Sequence, residues 1–150
     1  MIEPFSDQYF MRKALDEAHK AFEEGEIPVG CVVVSNNTII ARTHNLTEKL
    51  TDVTAHAEMQ AITAASYLLG GKYLTGCKIY ITLEPCVMCA GALSWAQTGE
   101  VIYGAHDPKR GYTQHAPNVL HPKSKVKKGI LADDSASLMT TFFSEKRKKM

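Results

Sequence analysis

The residues of this chain whose types and spacing can do chemistry are His56 with Glu58, two positions apart, and Cys86 with Cys89, three positions apart behind Pro85. If a helix starts near Pro85, the two sulfurs leave one face a turn apart, which is chelating geometry. The positive end of such a helix favours thiolate over thiol, and thiolate is the form that binds metal. With His56 as a third ligand, a zinc ion keeps its fourth tetrahedral position for water, which separates a catalytic site from a closed structural one. The two thiolates cancel the formal charge of the ion, and such a water still ionises near neutral pH, at about 7 in well-known cases. Glu58 stands close by as the acid/base that takes and returns its proton. Residues two apart on a helix diverge, so Glu58 and His56 do not grip the metal together but can line one cavity.

Each half of this pattern has a plainer reading. Cys-x-x-Cys alone also fits a redox pair or half of a structural zinc site, and His-x-Glu alone is common. In this order, with Pro before the first Cys, the two halves match the signature of zinc-dependent nucleobase deaminases.

The elements that must position these residues follow from periodicity. Met11, Leu15, Ala18 and Phe22 recur at helical spacing over about 7–24, and Gly25 ends the run. Ile27 to Val34 is β-branched and nearly continuously apolar, as a strand covered on both faces would be. Asn36-Asn37 predicts a hairpin turn back into Ile39 to Thr43. A polar loop over 44–55 delivers Asp52 or Thr54 as cap of a second helix, with Met59, Ile62, Ser66 and Leu69 inward and Gly70-Gly71 as its stop. Strand 78–83, helix 86–97 and strand 100–103 then form a parallel unit, placing both motifs at helix starts at the same end of the sheet. The pattern is irregular over 105–128, with a short fifth strand expected over Val126 to Leu131 and a last helix from Ala132. The expected architecture is α/β: a three-layer α/β/α sandwich around a central mixed five-stranded sheet, with residues 1–150 as one domain.

Composition narrows the class. At 150 residues with 45% hydrophobic and 22% charged side chains, the chain reads as an ordinary soluble globular protein. A net charge of +1 favours no partner by itself, so charge distribution must decide. No apolar run reaches membrane-spanning length and the N-terminus lacks a signal-peptide pattern, so the expected location is cytoplasmic with no membrane partner. Cys31 and Cys77 fall in or beside strands and read as buried thiols. Lys123, Lys125, Lys127 and Lys128, and again Lys146 to Lys149, form basic clusters that read as a solvated face or as phosphate contacts.

Across nearly its whole length the sequence resembles the cytidine deaminase-like superfamily, and within it the bacterial tRNA adenosine deaminases. The stretches concerned are 25–30 (GEIPVG), His44-Asn45, 54–58 (TAHAE), 83–92 (LEPCVMCAGA), 104–107 (GAHD) and 129–133 (GILAD). The resemblance implies a cytidine deaminase-like fold, one zinc per subunit held by His56, Cys86 and Cys89, and Glu58 as the catalytic proton shuttle. It further implies that the backbone near Leu83 and Glu84 contacts the zinc-bound water, that Asn45 hydrogen-bonds the base, and that Val29 and Ala57 line its pocket. Asp107 and Lys109 would touch the tRNA anticodon stem-loop. The implied reaction is deamination of the wobble adenosine to inosine by a homodimer, with helix 86–97, bearing Gly91, Ala92 and Trp95, in the dimer contact.

One stretch departs from that family. Small residues, typically Thr-Gly-Ala, commonly continue the loop after Lys109, whereas this chain has Arg110-Gly111-Tyr112-Thr113-Gln114-His115. Arg110 can meet phosphate and Tyr112 can stack on a base, or both can reshape the entrance for a smaller substrate. A deaminase of a free nucleobase or nucleoside is therefore the alternative. A non-catalytic zinc module would need a fourth protein ligand, and none is obvious.

Overall fold

The computed structural model describes residues 2–149. Helix α1 (Asp7–Glu23) begins where Ser6 accepts the Tyr9 N–H. It buries Phe10, Met11, Ala14, Leu15 and Ala18. Strand β1 (Gly30–Ser35) starts later than its apolar run suggests, because Pro28 has no N–H for a ladder and the Val29 N–H turns back to the Ile27 carbonyl at 2.8 Å. Gly30 is required by packing: a Cβ there would lie 2.0 Å from the Ala14 carbonyl oxygen, so α1 can press directly on the strand. Asn36 and Asn37 take left-handed φ of 49° and 61° and turn the chain into β2 (Thr38–His44).

Helix α2 (Ala57–Leu69) corrects two expectations. Its cap position is His56, while Asp52 accepts the N–H and hydroxyl of Thr54 and so closes a turn within the loop. Its fully buried face is Ala57, Glu58, Ala61 and Ala65; Ile62 packs partly buried against the same core, Met59 and Ser66 are half-buried, and Leu69 is exposed. Small side chains let the helix lie close against the sheet, which turns the bulkier ones to its flanks. Gly70, at φ 71°, ends it as expected.

Strand β3 (Lys78–Leu83), helix α3 (Val87–Trp95) and strand β4 (Glu100–Ala105) form the expected parallel unit. A short α4 (Tyr112–His115) and β5 (Lys125–Lys127) interrupt the irregular stretch, and α5 (Ala132–Lys148) closes the chain. The sheet order is β2-β1-β3-β4-β5, with β1 antiparallel to both neighbours and β3, β4 and β5 parallel. Cys31, Val33, Ile79, Ile81 and Val101 face α2 and α3, while Val32, Val34, Tyr80 and Ile102 meet α1. This is the expected three-layer α/β/α arrangement around a mixed five-stranded sheet. Each fully buried Ile, Leu or Phe contributes about 1.5–3 kcal/mol, so the two cores hold the sheet rigid beneath the C-terminal ends of β3 and β4, where the site lies. Cys31 and Cys77 are buried free thiols in this frame, as expected.

Candidate metal centre and active site

Two helix starts converge at one point. His56 is the cap residue of α2 and Cys86 that of α3, with Cys89 one turn further on, so both positive helix ends face the same spot. His56 Nδ1 lies 3.7 Å from Cys86 Sγ and 3.4 Å from Cys89 Sγ. The donor atoms of all three lie within 4.8 Å of one another. This set fits zinc: Zn–N of about 2.0 Å and Zn–S of about 2.3 Å at tetrahedral angles put N and S about 3.5 Å apart. Both observed distances bracket that edge. Cys86 is shifted toward thiolate, first by the hydrogen bond it accepts from Cys89, then by His56 against the cost of burial, while Cys89 is correspondingly raised. A dication that takes both sulfurs displaces the thiol protons.

Glu58, 4% exposed, opens the first turn of α2 beside these donors. Burial pushes its carboxyl up to about 7, opposed by its own backbone N–H, the His56 charge and the Cys89 thiol. A carboxyl poised near neutrality beside a metal-binding set can both accept and return a proton.

His56, Glu58 and Cys86 form the floor of a cavity of about 800 Å³, with Cys89 buried behind them. Val29, Asn45, Ala57, Leu83, Glu84, Asp107 and Lys109, all singled out from the sequence, line it. Asn45 is buried, its N–H donates to the Val29 carbonyl at 3.1 Å, and its side-chain Nδ2 donates to Thr47 at 3.3 Å. Its Oδ1, itself buried, has no partner among the described residues and is an acceptor still to be satisfied. The Glu84 N–H is already paired with the Ala105 carbonyl at 2.8 Å. Its carboxylate serves the rim, accepting the Asp107 N–H at 3.1 Å, the Thr113 N–H at 3.0 Å and the Thr113 hydroxyl at 2.7 Å, with His106 Nδ1 against its other side. Burial alone would raise Glu84, but these bonds outweigh it and hold the carboxyl below its ordinary value.

Tyr112 is buried with its ring edge-on to Tyr103 at 6.3 Å, so it supports the loop from beneath and offers no stacking face to a base. Arg110 does line the cavity, and its charge opposes protonation of His56, which Cys86 chiefly promotes. Of the basic clusters, Lys127 is taken up by Asp7 and Glu100 at 3.1 and 3.3 Å, and Arg147 is the member that reaches the cavity. Two contributions escaped sequence reasoning. Met139 and Phe143 close the cavity from α5 beside Arg147; their four-residue spacing was a visible signal, but nothing in it says what that face meets. Glu26, also buried, accepts the N–H groups of Glu48 and Lys49 at 3.0 and 2.8 Å and so anchors the loop that follows Asn45.

The cytidine and deoxycytidylate deaminase zinc-binding region matches residues 4–105. The tRNA-specific adenosine deaminase of Bacillus subtilis (strain 168) is 43% identical over 148 residues, covering 95% of this chain and 92% of that protein. A structure solved in a study of A-to-I editing by tRNA:A34 deaminases at the wobble position of transfer RNA superposes with a TM-score of 0.81 at 42% identity, covering 87% of this chain and 98% of that one. A guanine deaminase structure from Bacillus subtilis is 39% identical with a TM-score of 0.62, but covers 65% of this chain and 62% of that one. Likeness sustained from end to end, around a His-Cys-Cys set that fits zinc, shows that the chain belongs to the tRNA-specific adenosine deaminase family of the zinc-binding cytidine and deoxycytidylate deaminases.

Proposed function

We propose that this protein deaminates adenosine to inosine at the wobble position of a tRNA anticodon, by hydrolysis. The observation that carries the reading is the buried Glu58 at the floor of a cavity beside the His56, Cys86 and Cys89 donor set. The extent of the likeness to tRNA-specific adenosine deaminases supports the choice of substrate.

His56, Cys86 and Cys89 would hold one zinc ion per subunit. When bound, zinc supplies Lewis-acid activation of water at neutral pH. Glu58 takes the proton of the attacking water and gives it to N1 of the ring as the new C6–O bond forms. It then carries the second proton to the C6 amine, the C–N bond breaks, and ammonia leaves. The side-chain amide of Asn45 hydrogen-bonds the base, and Val29 and Ala57 pack against it. Leu83 and the carbonyl of Glu84 border the attack site, while Asp107 and Lys109 meet the anticodon stem-loop.

The chain works as one deaminase domain and assembles as a homodimer. Trp95 is 86% exposed at the end of α3, and Tyr67 and Leu68 stand exposed on α2, an apolar surface that a second copy would cover. No helix among the described residues is long and apolar enough to cross a membrane; a tRNA substrate supports a cytoplasmic location for the enzyme.

The partial likeness to guanine deaminase favours one other reading, a free-base substrate. Parallel incubation of zinc-loaded protein with a wobble-adenosine stem-loop and with free adenine, guanine, cytosine and cytidine separates the two. Inosine in the stem-loop is expected; ammonia from a free base alone overturns the tRNA reading and keeps the chemistry.

A further inference from the structure

Among the charged side chains outside the zinc site, Arg110 combines a fixed backbone with a free head group. Asp107 Oδ1 accepts the N–H groups of both Lys109 and Arg110 at 3.1 Å. The Gly111 N–H donates to the Asp107 carbonyl and the Tyr112 N–H to the Pro85 carbonyl, each at 3.0 Å, which stitches the loop to the turn carrying Cys86. Gly111 is needed for this passage, because a Cβ there would lie 2.2 Å from Glu84 Oε2. From this stitched segment the exposed Arg110 side chain enters the lining of the cavity that holds Glu58 and Asn45.

Lys109 and Arg147 line the same cavity, and none of the three cations is in an ion pair among the described residues. The acids nearby are already committed: Asp107 Oδ1 to the loop amides and the Glu84 carboxylate to Thr113, Asp107 and His106. A neutral free base offers a guanidinium hydrogen-bond acceptors but no negative charge to pair with. A base carried in a strand brings a phosphate on each side, and the guanidinium fork matches two phosphate oxygens at once.

We propose that Arg110 is a specificity residue of this site: its guanidinium pairs with a backbone phosphate flanking the target nucleotide, selecting a base held in an RNA strand over a free one. The inference rests on the wobble-adenosine reading and refines it. Its position beside the metal turn, not out on the basic tail, makes the contact local to the reacting nucleotide.

The test compares zinc-loaded wild type, Arg110→Ala and Arg110→Lys on a wobble-adenosine stem-loop across a salt series, with zinc content and melting temperature measured on each. Arg110→Ala should raise KM about tenfold with the loss in KM and not in kcat. Its log KM should also depend less steeply on log salt, by about 0.7 for a single-stranded contact. Arg110→Lys should restore the slope but only part of the KM, since a point charge replaces a fork. Wild-type KM and slope in Arg110→Ala overturn the proposal and leave the wobble reading standing. A fall in kcat with an unchanged slope also overturns it, because that marks a scaffold role. Wild-type protein that forms no inosine in the stem-loop overturns both.

Discussion

Glu58 and Glu84 line one cavity and are almost equally buried, at 4% and 2% exposure, yet they stand at opposite ends of what a buried carboxyl can be. Glu84 is saturated: backbone amides, a hydroxyl and an imidazole meet its oxygens, and it is held below its ordinary value as a fixed anion. Glu58 has only its own backbone N–H, the His56 charge and the Cys89 thiol to steady its charge, and burial lifts it to about 7. Low exposure by itself therefore does not mark the residue that moves protons; depth among apolar atoms and the supply of hydrogen-bond donors together do. The same contrast divides the site. The floor, made of two helix starts, is built for chemistry, and the rim, tied to Glu84, is built for shape.

Substitutions that respect this division should give effects of different kinds and sizes. On the floor, His56→Ala or Cys86→Ala should lose zinc, and activity with it, at zinc concentrations that saturate the wild type. Metal analysis after desalting reads this directly, and full zinc occupancy with full turnover would remove these residues from the ligand set. On the rim, Glu84→Gln should keep zinc but lower stability by about 2–4 kcal/mol, because Gln cannot satisfy all the donors that converge there. Denaturant unfolding measures that loss, and an unchanged midpoint would mean that the loop does not depend on Glu84.

Gly111→Ala probes the same joint from the other side. The added Cβ would meet Glu84 Oε2 at 2.2 Å and the Asp107 carbonyl at 2.6 Å. A cost of about 1–3 kcal/mol is expected, with a raised KM. A wild-type melting temperature and KM would show that the loop yields freely. Glu17 supplies the smallest effect and a control remote from the metal. It is 4% exposed, accepts Lys20 Nζ at 2.8 Å and pairs with His44 Nδ1 at 3.2 Å. Burial would raise its carboxyl, but the Lys20 and His44 hydrogen bonds together bring it below the unfolded-state value of 4.5. A lowered folded-state value means that the stabilisation is present in full above pH 4.5 and lost as pH falls through the folded-state value. Glu17→Gln should thus be less stable than wild type by about 1 kcal/mol at pH 7, with the difference shrinking in acid. A gap that is constant with pH would contradict this account.

The floor was legible in the sequence because its logic is local. Cys86 and Cys89 are one helical turn apart and His56 follows a loop rich in turn residues, so residue type and short spacing carry most of the information. The sheet was legible for a similar reason: apolar runs, the Asn36-Asn37 turn and Gly70 mark the strands and helix ends. What was misread depends on how large surfaces meet. The inward face of α2 went to its alanines because close approach to the sheet favours small side chains, and no periodicity of larger residues reveals that. Tyr112 read as a possible base-stacking ring, but it is spent against Tyr103, a partner set only by the path of the loop. Met139, Phe143 and Arg147 reach the cavity because α5 folds back beside it, a tertiary fact that their spacing does not contain.

The central claim is that Glu58 moves the protons of a zinc-dependent hydrolysis without holding the metal. Its most direct test is Glu58→Gln, assayed for zinc per chain and for inosine formed in a wobble-adenosine stem-loop in a single turnover. The account predicts wild-type zinc content with a rate lower by about 10²–10⁴. Equal zinc content with an undiminished rate would contradict it.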